Sequence, residues 1–237
     1  VYGMDAWKSA PEIKKYIGYL PGEIAFPPLE SGTEFLKFQA EMLGIADMSR
    51  AEEIIKALQL DPTANLKRMS KGMKQKTALV ATFMHRPEIV LLDEPTTGLD
   101  PLMRDAFINI IKQEKERGVT IVMSNHMFNE LEETCDYVGF IRDGRLVDIV
   151  DMNALKERPA REFQIVYGNP RDFLEADWSY AEIIKKEENY PSLVVRVKNE
   201  DLNRMFADLN KAEIRLIREV QYSLEQYFMD NVIGGMK

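Results

Sequence analysis

The run Ile89-Val90-Leu91-Leu92-Asp93-Glu94-Pro95-Thr96-Thr97-Gly98-Leu99-Asp100 constrains this chain more than any other stretch. Its four consecutive apolar residues predict a strand buried on both faces, as in the parallel sheet of an α/β fold. Two adjacent carboxylates follow where that strand should end. In open α/β sheets, ligands bind beyond the C-terminal edge of the strands. One carboxylate there can hold Mg2+, and its neighbour can polarise a water for attack on a phosphate.

The flanking sequence supplies the rest of a βαβ unit. Pro101 is placed to start a helix and Gly118 to stop it, with Phe107, Ile108 and Ile111 as its apolar face. Val119–Met123 is the next buried strand, parallel to the first. Ser124, Asn125 and His126 then bring polar groups to the same sheet edge as Asp93 and Glu94. Upstream, residues 16–20 read as a short strand stopped by Pro21-Gly22. Ser9 with Glu12, Ser31 with Glu34, and Ser49 with Glu52 have capping-box spacing and predict helices over 10–15, 33–43 and 50–60. A loop over 61–69 leads to a helix over 71–84. Its start, Ser70-Lys71-Gly72-Met73-Lys74-Gln75, is a small-residue turn whose free backbone N–H groups suit a phosphate. Downstream, 129–135 is helical, and Asp143-Gly144 turns a hairpin between strands at 137–141 and 146–150. Around 153–161 the sequence becomes charged and carries Pro159, which suggests a domain boundary. Beyond it, strands at 162–167, 193–198 and 213–220 with helices at 200–210 and 223–231 predict a small α+β domain.

A formal net charge of -8 argues against non-specific binding to DNA or anionic lipid. No apolar run reaches membrane-spanning length, and no signal peptide is expected at the start. A single cysteine, Cys135, excludes an internal disulfide and fits a reducing compartment. With one Cys and two His, a zinc site is not expected.

Three features in order resemble the ATP-binding cassette (ABC) ATPases over roughly residues 1–150. Residues Leu91 to Pro101 are similar to the family's Walker B motif running into its D-loop. Ser70–Gln75 is similar to its signature motif, and His126 occupies the switch-histidine position. The resemblance implies a partial P-loop ATPase domain over 1–155, with a mostly parallel sheet and a helical subdomain, followed by an accessory domain over 160–237. It implies ATP and Mg2+ as cofactors. Asp93 would hold the metal, Glu94 would act as general base or orient the attacking water, and His126 would contact the γ-phosphate. Asp100 would report across a dimer interface, and Ser70, Gly72 and Met73 would contact ATP held mainly by a second ATPase subunit.

Within that family the chain is similar to the ATPase subunits of bacterial antibiotic-resistance and ABC-2 exporters. Tyr19-Leu20-Pro21-Gly22-Glu23, the Ser-Lys-Gly-Met-Lys-Gln signature and the segment Ser223–Phe228 carry that likeness. The implied partners are a membrane permease and a second copy of the chain, with no nucleic acid. The implied location is the cytoplasmic face of the cell membrane. The family's metal-contacting glutamine after the first strand is replaced here by Gly22, and Lys71 and Met73 depart from the commonest signature. No Gly-x-x-x-x-Gly-Lys-Ser/Thr loop occurs in the 237 residues. The expectation is therefore that the sequence starts inside the ATPase domain, and that this exact stretch binds ATP weakly, does not hydrolyse it at a useful rate and exposes apolar surface. A non-hydrolysing interaction protein of the same fold is the alternative, and an ATPase acting on ribosomes or DNA is a third reading.

Overall fold

The computed structural model describes residues 1–187 and 189–233, which divide into two compact units, Val1–Thr134 and Cys135–Lys237. That division falls upstream of the composition change at 153–161.

The first unit is built on a three-stranded parallel sheet in the order β1 (Ile17–Leu20), β2 (Ile89–Asp93), β3 (Thr120–Ser124). Register pairs Leu20 with Leu92 and Asp93 with Ser124, so the acidic pair and the serine end at one sheet edge. A short helix, α1 (Ala10–Ile13), precedes β1. Between β1 and β2 lie α2 (Gly32–Leu43), α3 (Ser49–Ala57) and α4 (Lys71–Phe83), and α5 (Pro101–Glu116) crosses from β2 to β3. α6 (Phe128–Thr134) follows β3.

The helices form where their ends are satisfied. Ser31 accepts from Glu34 N at 3.3 Å, and Asp100 accepts from Met103 N at 3.0 Å. Two expected caps take another form. Ser9 makes no side-chain cap. Ser49 is not the cap of α3 either, because Asp47 takes both its N–H (2.9 Å) and its hydroxyl (3.0 Å).

One face of the sheet carries the core. Leu20, Val90 and Leu92 pack with Phe83 of α4 and Phe107 and Ile111 of α5, all essentially buried. The other face is open: Tyr19 is 62% exposed and Val122 59%. The apolar run of β2 is therefore buried on alternate residues rather than on both sides. Gln75, Thr77 and Thr82 lie buried on α4 among this core, and each has a hydrogen-bond partner.

The second unit holds a hairpin of β4 (Tyr137–Arg142) and β5 (Arg145–Asp151), turned at Asp143-Gly144 with positive φ at both residues. A four-stranded antiparallel sheet follows, in the order β7 (Glu182–Glu187), β8 (Ser192–Lys198), β6 (Ala160–Tyr167), β9 (Ile214–Val220). Helices α8 (Pro170–Glu175) and α9 (Leu202–Leu209) supply Phe173, Met205 and Leu209 to a core with Phe163, Ile165, Val195 and Val197. This is the expected small α+β arrangement. The sequence reading left out α7 (Met152–Lys156), α8 and β7. Its final helix is a single turn, α10 (Leu224–Tyr227), continued by one π-helical turn.

Candidate functional site

The C-terminal ends of β2 and β3 gather four of the residues singled out by sequence. Asp93 is the last residue of β2, and its Oδ1 accepts from Ser124 Oγ at 2.5 Å. The same serine oxygen accepts from Glu94 N at 3.1 Å, and Ser124 O accepts from that N–H at 3.2 Å. Ser124 thus clamps the backbone at the acidic pair from the neighbouring strand. Glu94 Oε1 lies 3.5 Å from His126 Nδ1, and its Oε2 accepts from Thr97 Oγ1 at 3.0 Å. Both Glu94 and His126 are open to solvent.

Glu94 has φ +45, in the left-handed region that costs a residue with a Cβ about 1–2 kcal/mol. The outlier lies at the residue where the strand ends and the carboxylate turns toward His126. Two contacts hold the turn: the Ser124 clamp, and Gln75 Nε2 of α4, which donates to Pro95 O at 2.8 Å.

The donor set at Asp93 suits Mg2+. It is all oxygen, and among the described residues no group of three or more acidic, His or Cys side chains forms a cage. Mg2+ keeps its waters and takes one or two carboxylates plus substrate phosphates, rather than a full protein shell. The position expected to supply a glutamine is close by. A Cβ on Gly22 would stand 2.7 Å from Asp93 Oδ2, so the backbone of residue 22 itself approaches the carboxylate and leaves no room for a side chain without a shift. Glu23 is exposed.

The signature residues occupy the start of α4. Ser70 is exposed and caps the helix, accepting from Met73 N at 3.2 Å. A Cβ on Gly72 would stand 2.6 Å from Gly98 O, a backbone atom, so the absence of a side chain lets α4 close on the loop before Asp100. The Met73 side chain is partly buried against the core. Asp100 is exposed and caps α5. The helix that Ser70 and Gly72 open thus meets the loop before Asp100 at the Gly72–Gly98 contact, and Gln75 of the same helix reaches the turn that follows Glu94.

The sequence reading missed Thr97, Gln75 as a clamp, and Glu130, a buried carboxylate under the two loops. Thr97 and Gln75 lay inside the quoted motifs. Glu130 sits in a run with Glu132 and Glu133, and nothing local separates the buried member of that run from the others.

Comparisons with known proteins agree with this architecture. A family model described as "AAA domain, putative AbiEii toxin, Type IV TA system" matches residues 58–127, from the end of α3 to just past His126. The bacitracin transport ATP-binding protein BcrA of Bacillus licheniformis is 28% identical over 252 residues, covering 99% of this chain and 79% of that protein. The linearmycin resistance ATP-binding protein LnrL of Bacillus subtilis is 34% identical over 147 residues, covering 60% of this chain and 47% of that protein. An uncharacterised ABC transporter ATP-binding protein of Methanocaldococcus jannaschii, MJ1023, is 31% identical over 224 residues, 92% of this chain and 76% of that protein. Among solved structures, an ATP-binding subunit of an ABC transporter superposes with a TM-score of 0.60 at 24% identity, over 66% of this chain and 67% of its own. The ATP-binding cassette MJ0796, solved as a dimer with ADP and Pi, gives 0.56 at 22% identity, over 63% and 68%.

The fold is that of an ABC-type ATPase domain. On the strength of relatives matched over most of both chains, this protein belongs to the family of ABC transporter ATP-binding proteins.

Proposed function

We propose that this chain is the ATP-hydrolysing subunit of an export transporter, working as a head-to-tail dimer on a separate membrane permease. The observation that carries the reading is the pairing of Glu94 with His126 at 3.5 Å, at the joint end of two parallel strands and beside Asp93. In this reading Asp93 holds Mg2+, which would neutralise charge on the phosphates. Glu94 takes the proton from the attacking water, with Thr97 fixing one of its oxygens so that the other faces the substrate side. His126 meets the γ-phosphate. Ser70, Gly72 and the main chain at Met73, whose side chain packs on the core, face ATP held by the second subunit, and Asp100 lies at the interface. MJ0796, solved as a dimer, supports that arrangement by analogy.

Placement at a cytoplasmic membrane face belongs to the same reading; no described helix is long and apolar enough to cross a membrane. α2 exposes Phe38, Met42 and Leu43, which suit it to dock on the permease. The names of BcrA and LnrL support an antibiotic as the class of cargo.

The test is Glu94→Gln in the protein at its native length. Turnover is expected to fall by about 10²- to 10⁴-fold, the usual contribution of a general base, with MgATP binding retained. Unchanged turnover would overturn the assignment.

A further inference from the structure

Glu130 lies in the first turn of α6, four residues past His126, and is 5% exposed. A buried carboxylate is costly unless its oxygens are paired. Its Oε2 accepts two short hydrogen bonds from two different loops: from Thr96 Oγ1 at 2.7 Å and from Asn125 Nδ2 at 2.6 Å. Thr96 belongs to the loop that runs from Glu94 to Asp100. Asn125 immediately precedes His126, and its Oδ1 accepts from Met127 N at 2.9 Å, closing the turn that presents the histidine. The second oxygen, Oε1, makes no hydrogen bond and lies 4.0 Å from Arg104 Nε. That N–H donates to Leu99 O at 3.2 Å, one residue before Asp100. Arg104 therefore has a second acceptor within a short movement of its present one.

We propose that Glu130 is a positioning residue that couples the loop carrying Asp100 to the turn carrying His126. One oxygen cannot keep both donors if the two loops move independently. A displacement at Asp100, on the face assigned above to a second subunit, is thus passed through Thr96 and Glu130 to Asn125 and the histidine. Its kinetic consequence rests on the hydrolase reading, whereas the mechanical coupling does not.

The experiment uses the native-length protein with Thr96→Val, Glu130→Ala, Glu130→Gln and the Thr96→Val/Glu130→Ala double variant. Amide hydrogen exchange is followed at 124–128 and at 95–100. Thr96→Val is expected to speed exchange at 124–128 by about tenfold, the effect of losing a charged hydrogen bond. The same substitution is expected to add nothing there once Glu130 is alanine. Glu130→Gln keeps a carbonyl acceptor for both donors and should stay near wild type. An unchanged 124–128 segment in Thr96→Val, or an equal increment in the two backgrounds, overturns the coupling; this holds even if the alanine variant does not fold, because the single valine variant decides it. In steady-state ATPase assays, Glu130→Ala should lower kcat about tenfold with KM for MgATP nearly constant, and Glu130→Gln should restore it. Unchanged kcat in Glu130→Ala overturns the link to turnover. A wild type without turnover overturns the hydrolase reading, and the exchange result still stands or falls alone.

Discussion

His85 is held half-buried just after α4, with Nε2 3.3 Å from Ile17 O and a buried Nδ1 that has no partner. Burial lowers its affinity for a proton, so its pKa lies below the ordinary value of 6.5, and the contact with Ile17 offsets only part of that. In the unfolded chain the imidazole charges near pH 6.5, whereas in the folded protein it stays neutral to lower pH. Its contribution to stability is therefore complete above pH 6.5 and is lost as pH falls below that value. Urea midpoints measured at pH 7.5 and pH 5.5 should fall for the wild type and change less for His85→Asn. At this scale the site was partly legible. Asp93, Glu94 and His126 could be read because strand ends and motif spacing are local. Glu130 could not, because what distinguishes it from Glu132 and Glu133 is a pair of donors 34 and five residues away. Ser49 was misread as a cap for a related reason: Asp47, two residues earlier, competes for the same groups.

Among elements, the contact of α3 with α5 carries a buried ion pair. Glu114 is 1% exposed and accepts from Arg50 Nη2 at 2.6 Å and from Arg117 Nη2 at 2.5 Å. Arg117 also donates to Pro87 O at 2.8 Å, which ties the end of α5 to the entry of β2. Removing one member of such a group strands a buried charge. Glu114→Ala should cost roughly 3–5 kcal/mol, because Arg50 is itself largely buried; chemical denaturation would measure it, and a loss below about 1 kcal/mol would mean that water reaches the site. Helices and parallel strands were legible from apolar period, caps and Pro/Gly punctuation. β7 was not. Every residue of Glu182–Glu187 is exposed, so no alternation marks it, and its strand character comes from pairing with β8. α8 was missed although Asn169 caps it and Pro170 opens it, because six residues give no period to read.

For the whole molecule, the separation of the two groups of candidate site residues is the feature that matters most. The acidic pair and the histidine occupy the end of the sheet, and the signature residues occupy the start of α4, close to the loop of Gly98 and Asp100. A head-to-tail pair would place one cluster against the other. Sedimentation of Glu94→Gln at native length should show a dimer with MgATP and a monomer without it. A monomer in both conditions would argue against the head-to-tail pair. The class of the first unit was readable in advance because two of the three motifs, the acidic pair and the histidine, follow adjacent parallel strands and so meet at one edge, and the third opens a helix ahead of them in sequence. The compact division at 134/135 was not, since the composition changes only some twenty residues later, past the hairpin.

The left-handed backbone at Glu94 has a consequence for how this protein can change. Glycine would relieve that torsion at no steric cost, and it would also delete the carboxylate assigned to water activation. If Glu94 has the role proposed for it, folding stability and turnover pull in opposite directions at a single codon, and selection for heat resistance alone would drift toward a sturdier protein that no longer burns fuel.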